Sequence, residues 1–247
     1  MNSQTNQELR REEVLKLARR KTVARVQAGR SLVTRDLPKA TISEQYRTLR
    51  TNLQYSSIDK ELRTILVTST APSEGKSITA ANLAIVFAQQ GKKVLLIDAD
   101  LRKPTVHYTF RINNTFGLSN YLIGEHPLEK ITHESNVDNL SIIPCGPIPP
   151  NPSELLGSNG LKKMIEEAKE IYDLIIFDSP PVLAVTDSQI LSNIVDGVLL
   201  VIRSKQTEKD AAMKAKELLL QAKANVLGVV LNDVSLKDQE YYYYYGR

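Results

Sequence analysis

Six short runs of apolar and β-branched residues recur along the chain, at 64–68, 93–98, 140–143, 173–178, 196–203 and 226–231. Helical segments at 77–90, 159–169, 187–193 and 207–223 separate most of them. A strand that is apolar on both faces has to be covered on both. The pattern therefore predicts a doubly wound α/β domain: a mostly parallel sheet with helices on each side. Such sheets bind ligands outside the carboxyl ends of their strands, so the residues that end these runs are the ones to read for chemistry. No internal repeat interrupts the pattern.

The first run ends in Thr70-Ala71-Pro72-Ser73-Glu74-Gly75-Lys76-Ser77 and passes directly into the helix that starts near Ile78. This is G-x-x-x-x-G-K-[ST] with Thr70 in place of the first glycine. Backbone N–H groups of Ser73, Glu74, Gly75, Lys76, Ser77 and Ile78 are expected to face phosphate oxygens at a positive helix end. Lys76 reaches the β- and γ-phosphates, and the Ser77 hydroxyl ligates Mg²⁺. The second run ends in Asp98-Ala99-Asp100-Leu101-Arg102-Lys103. In an extended backbone Asp98 and Asp100 face one side, where they suit a hydrated Mg²⁺ or the proton of an incoming hydroxyl. Arg102 and Lys103 suit a γ-phosphate or an acidic substrate. The run at 173–178 closes on Asp178, the placement of a Walker B carboxylate that holds the metal directly or through water. Asn232, at the end of the last run, is placed for adenine.

The other constraining feature lies at the far end. Tyr241, Tyr242, Tyr243, Tyr244 and Tyr245 hold half of the ten tyrosines within the last seven residues. A buried tyrosine needs a packing site and a hydroxyl partner, which a chain terminus rarely supplies. In a chain with a phosphate-binding loop, the phenols read as phosphoryl acceptors. Their reference pKa is near 10, so an acceptor gains from a nearby carboxylate, Asp98 or Asp100.

Charge is uneven. The net +4 divides into a surplus of six positive charges over residues 1–40 and about −2 over the rest. Residues 8–27 have helical composition and residues 28–40 read as a linker; a second helix is expected over 43–55, capped by Thr41 or Ser43. The organisation is then 1–40 basic helix and linker, 41–235 phosphate-binding domain, and 236–247 tyrosine tail. The basic segment lacks the interleaved aromatics of a single-strand platform, and no nucleic-acid partner is expected. The single Cys145 cannot close an internal disulfide, and no run approaches the roughly 18 apolar residues of a membrane span. A cytoplasmic setting is expected.

Together, the loop at 73–77, the Asp98/Asp100 pair with Arg102, Asp178 and the terminal tyrosines resemble a BY-kinase, a bacterial tyrosine kinase of capsule and exopolysaccharide assembly. The likeness extends over 143–156, Ile-Pro-Cys-Gly-Pro-Ile-Pro-Pro-Asn-Pro-Ser-Glu-Leu-Leu. Glu44, Arg47 and Arg50 match the family's E-x-x-R-x-x-R oligomerisation motif and fall on one helix face. The resemblance implies a P-loop fold of the ParA/MinD-like type, ATP and Mg²⁺ as cofactors, and tail phosphorylation in trans within a homo-oligomeric ring. It also implies a transmembrane adaptor on a separate chain whose cytoplasmic tail activates the kinase, a cognate tyrosine phosphatase, and a peripheral place at the inner membrane face. Two other readings share the architecture. A ParA/MinD-like partition ATPase carries a signature lysine at the second loop position, where this chain has Ala71. A non-catalytic nucleotide-sensing scaffold of a polysaccharide export complex would form no stoichiometric phosphotyrosine.

Overall fold

The computed structural model describes residues 31–56 and 61–234. The expected basic helix at 8–27 and the tyrosines 241–245 lie outside the described residues.

Seven strands form one sheet in the order β3-β4-β2-β5-β1-β6-β7. They are β1 (Thr64–Ser69), β2 (Val94–Asp98), β3 (His133–Glu134), β4 (Leu140–Ile143), β5 (Leu174–Asp178), β6 (Gly197–Arg203) and β7 (Val226–Asn232). Every pairing is parallel except the short β3 on β4. Every residue of β1, β2 and β5 is buried, as their continuous apolar sequences require. Alternate side chains feed two cores. Leu66, Leu95, Ile97, Ile175 and Phe177 point to one face; Ile65, Val67, Leu96 and Ile176 point to the other.

Three strands, β2, β5 and β6, begin one residue later than the apolar runs suggested. Asp173 and Asp196 are clasps at the strand starts rather than ladder members: Asp173 Oδ2 accepts from Lys93 N at 2.7 Å, and Asp196 Oδ2 accepts from Arg63 N and Thr64 N at 3.1 and 3.0 Å.

The helices are α1 (Val33–Asp36), α2 (Thr41–Tyr55), α3 (Lys76–Ala88), α4 (Val106–Phe110), α5 (Leu118–Leu122), α6 (Leu128–Ile131), α7 (Pro152–Leu156), α8 (Asn159–Lys169), α9 (Asp187–Ser192) and α10 (Lys209–Gln221). α3 is buried almost throughout, and Ala80, Ala81, Ala84 and Ala88 let it lie close to its neighbours. α8 turns Leu161, Met164, Ile165 and Ala168 inward at helical spacing and its charges outward.

Residues 31–40, expected as linker, are instead packed onto α3. Leu32 is buried, and Thr34 donates from its N and Oγ1 to Asn82 Oδ1 at 3.0 and 2.8 Å. The expected side-chain cap of α2 is also absent: Ala40 occupies the N-cap position. Ser43 donates its hydroxyl backward to the carbonyls of Leu37 and Val33, at 2.7 and 3.1 Å. These bonds tie α1 to α2, and both lie over α3.

Candidate functional site

β1 leaves the sheet at Ser69, and after six intervening residues α3 begins at Lys76. Between them Ser73 (φ 68°) and Gly75 (φ 96°) take left-handed backbone. Gly75 is required twice over, because a Cβ there would stand 2.1 Å from Asn232 Nδ2. The loop is fastened from three directions. Ala71 N donates to Glu74 Oε2 at 2.9 Å, the Thr207 hydroxyl donates to Glu74 Oε1, and Asn232 Nδ2 donates to the Glu74 carbonyl at 3.0 Å. Thr70, standing where the motif has glycine, is buried. The first amides of α3 have no partner within the helix and give this end a positive character suited to phosphate.

β2 and β5 are neighbours in register, with Asp98 opposite Asp178. That pairing brings the strand-end acids together beside α3. Lys76 Nζ donates to Asp100 Oδ2 at 3.0 Å, to Asp178 Oδ1 at 3.3 Å and to Ser77 Oγ at 3.2 Å. Burial works against the charge on Lys76, but Asp178 and Asp100 outweigh it and hold its pKa above the ordinary value. Burial raises the pKa of Asp178 despite the opposing pull of Lys76 and a hydrogen bond from Ser77.

Asp98 and Asp100 do not share a face, because β2 ends at Asp98 and the alternation of an extended chain stops there. Asp98 turns toward the start of α4. Its Oδ2 accepts from Thr105 N and Val106 N, both at 2.9 Å, and its Oδ1 from Asp100 N at 3.3 Å. Burial and then Asp178 push its pKa up to about 7, against the pull of the Val106 amide and Lys76. Asp98, read from sequence as a metal ligand, accepts these three backbone amides.

Among the described residues no three His, Cys, Asp or Glu side chains are grouped to hold a metal by themselves. Mg²⁺ does not need such a cage, since it binds through one or two carboxylates plus phosphate and water. Asp178 Oδ2 is buried with no partner, and Ser77 Oγ and Asp178 Oδ1 both lie against Lys76 Nζ, at 3.2 and 3.3 Å. Those two residues fit the ion.

Arg102, Asn232, Glu44, Arg47 and Arg50 all have partners within the chain. Arg102 is turned to Asp187, with Nε to Oδ2 at 2.9 Å and Nη2 to Oδ1 at 3.0 Å. Asn232 braces the loop through Glu74. In α2, Arg47 pairs with Glu44 at 2.6 Å, while Arg50 turns to its own subunit and donates Nη1 to the Val86 carbonyl at the end of α3, 2.8 Å away. Sequence reasoning missed Asp187, Ser153 and Thr207. Asp187 begins a helix and reads as an ordinary cap, and the other two are hydroxyls in polar segments. A cavity of about 330 Å³ flanks the loop between Thr70, Pro72, Leu183 and Glu208. Lys76 and the acids lie outside its lining.

A family model described as an AAA domain matches residues 62–225. Tyrosine-protein kinase YwqD of Bacillus subtilis strain 168 is 52% identical over 217 residues, which are 88% of this chain and 92% of that protein. The kinase domain of Escherichia coli tyrosine kinase ETK matches with a TM-score of 0.80 at 36% identity, covering 83% of this chain and 80% of that one. The cell division ATPase MinD of Pyrococcus furiosus matches with a TM-score of 0.59 at 26% identity, covering 68% of this chain and 71% of that one.

Proposed function

This chain belongs to the BY-kinases, the bacterial tyrosine kinases of capsule and exopolysaccharide assembly, and on that premise we propose how its strand ends carry a phosphoryl group from ATP to tyrosine. It is an ATP-dependent, autophosphorylating protein-tyrosine kinase that regulates polysaccharide synthesis. The observation that carries the mechanism is Lys76 lodged between Asp100 and Asp178 at the head of α3. The loop amides and α3 hold the nucleotide phosphates in line for transfer. Lys76 exchanges its two carboxylates for the β- and γ-phosphate oxygens, which frees both acids. Ser77 and Asp178 would hold Mg²⁺, which would supply positive charge against that of the transferred group. Asp100, next to the bond that Lys76 leaves, takes the phenolic proton. It is better placed for this than Asp98, whose oxygens already accept three backbone amides. Arg102 steadies charge on the phosphoryl oxygens from the rim.

The acceptors are Tyr241, Tyr242, Tyr243, Tyr244 and Tyr245 of a neighbouring copy, brought near by pairing through Glu44, Arg47 and Arg50. A separate transmembrane adaptor holds the kinase at the inner membrane face and activates it through its cytoplasmic tail, and a tyrosine phosphatase resets it. Among the described residues no helix is long and apolar enough to cross a membrane. Ala71, where a partition ATPase has its signature lysine, disfavours that reading. The test is mass spectrometry of the purified chain before and after ATP–Mg²⁺. Phosphoryl increments confined to 241–245 are expected. An unchanged mass, or undiminished labelling in a folded Lys76→Met variant, would overturn the proposal.

A further inference from the structure

We propose that Asp187 and Ser153 form a preassembled seat that positions Arg102 for phosphoryl transfer. The inference rests on the role given to Arg102 above and adds two positioning residues to it. Arg102 follows Asp100 by two residues, and its side chain is 39% exposed, whereas Asp187 has no exposure at all. The guanidinium meets the carboxylate through two parallel bonds, Nε to Oδ2 at 2.9 Å and Nη2 to Oδ1 at 3.0 Å. Ser153 closes a ring: its hydroxyl accepts from Arg102 Nη2 at 3.0 Å and donates to Asp187 Oδ1 at 2.7 Å.

The ring joins three segments far apart in sequence: the β2–α4 loop, α7 and α9. It also gives a role to the segment 143–156, which delivers Ser153. Nε and Nη2 make all three bonds, leaving the Nη1 end to meet a phosphoryl oxygen. The hydrogen bond to Asp187 comes first, and Asp100 last, among the interactions that raise the guanidinium's pKa.

A free arginine would lose rotamer entropy on finding its ligand, and the fork held by Asp187 removes much of that loss beforehand. Lysine cannot replace it, having no fork. The arrangement is also asymmetric in stability. Removing Arg102 strands a buried carboxylate, whereas removing the charge of Asp187 strands only a half-exposed cation.

The experiment uses the full chain and measures initial phosphotyrosine formation against ATP concentration, with thermal unfolding alongside. The variants are Arg102→Gln, Asp187→Asn, their combination, Arg102→Lys and Ser153→Ala. Loss of positioning is expected to lower kcat by about 10- to 100-fold in Asp187→Asn and in Arg102→Gln, with KM for ATP within about threefold. The combination should be no slower than Arg102→Gln alone and should unfold at a higher temperature than it. Arg102→Lys should recover little of the rate. A parent rate in Arg102→Gln overturns the reading of Arg102 itself. A slow Arg102→Gln beside a parent-rate or faster Asp187→Asn, or losses that multiply in the combination, overturns the seat alone. If Asp187→Asn does not fold, Ser153→Ala decides: a lowered kcat at unchanged KM is expected, and a parent rate overturns the seat.

Discussion

Lys76 sits where three buried charges meet, and its partners give its substitution two separable effects. Lys76→Met should bring phosphotyrosine to background. It should also lower the stability of the nucleotide-free protein by about 3–5 kcal/mol, because Asp100 and Asp178 would be left without their cation. Adding Asp178→Asn should restore much of that stability and none of the activity; denaturant unfolding and a phosphotyrosine assay separate the two. Asp98 makes a prediction about pH. Its folded pKa of about 7 lies above the unfolded 3.8, so in that window the folded protein keeps a proton that the unfolded chain releases. Stability contributed by this group therefore falls as pH rises from about 4 to about 7. Asp98→Asn should abolish that slope. Urea unfolding of the metal- and nucleotide-free protein at about pH 5 and about pH 7.5 checks it: relative to the variant, the parent should be the more stable at the lower pH.

At the scale of elements, strands and helices were read from sequence with different success, for physical reasons. β1, β2 and β5 were legible because a strand buried on both faces must be apolar throughout, and Lys76 was legible because the loop's chemistry is local. The turn α1 was not: four residues show no helical period, and Thr34 is held by Asn82, 48 residues further on. The divergence of Asp98 from Asp100 was hidden for a similar reason, since spacing says nothing of where a strand stops. The bond network around Asn82 predicts that Asn82→Ala costs about 1–3 kcal/mol by leaving the buried Thr34 N–H without a partner. Limited proteolysis should then cut within 31–40 before the sheet domain unfolds. Intact 31–40 at protease levels that cleave the unfolded chain would show that α1 docks without Asn82.

At the scale of the whole molecule, the motif on α2 divides its labour. Glu44 and Arg47 form a surface pair, worth about 0–1 kcal/mol to the fold, and Arg47 also donates Nη2 to the Pro38 carbonyl, so changing both to Ala should cost on the order of 1–2 kcal/mol at most. If they join subunits, sedimentation should shift toward monomer and phosphorylation in trans should slow. Arg50→Ala should cost stability as well, since its guanidinium caps the end of α3. The order of the sheet has a consequence for synthesis. β1 and β2 are made first, yet they are never neighbours; a slot one strand wide stays between them until β5 arrives. Lys76 emerges from the ribosome early but meets Asp178 only after residue 178 has been added. An incomplete chain therefore holds a phosphate loop with no assembled site around it, and β6 and β7 complete the sheet beyond β1 later still. Tyr241 lies only nine residues beyond Asn232, so the brace on the phosphate loop and the proposed acceptors leave the ribosome almost together, after every strand-end acid is already in place.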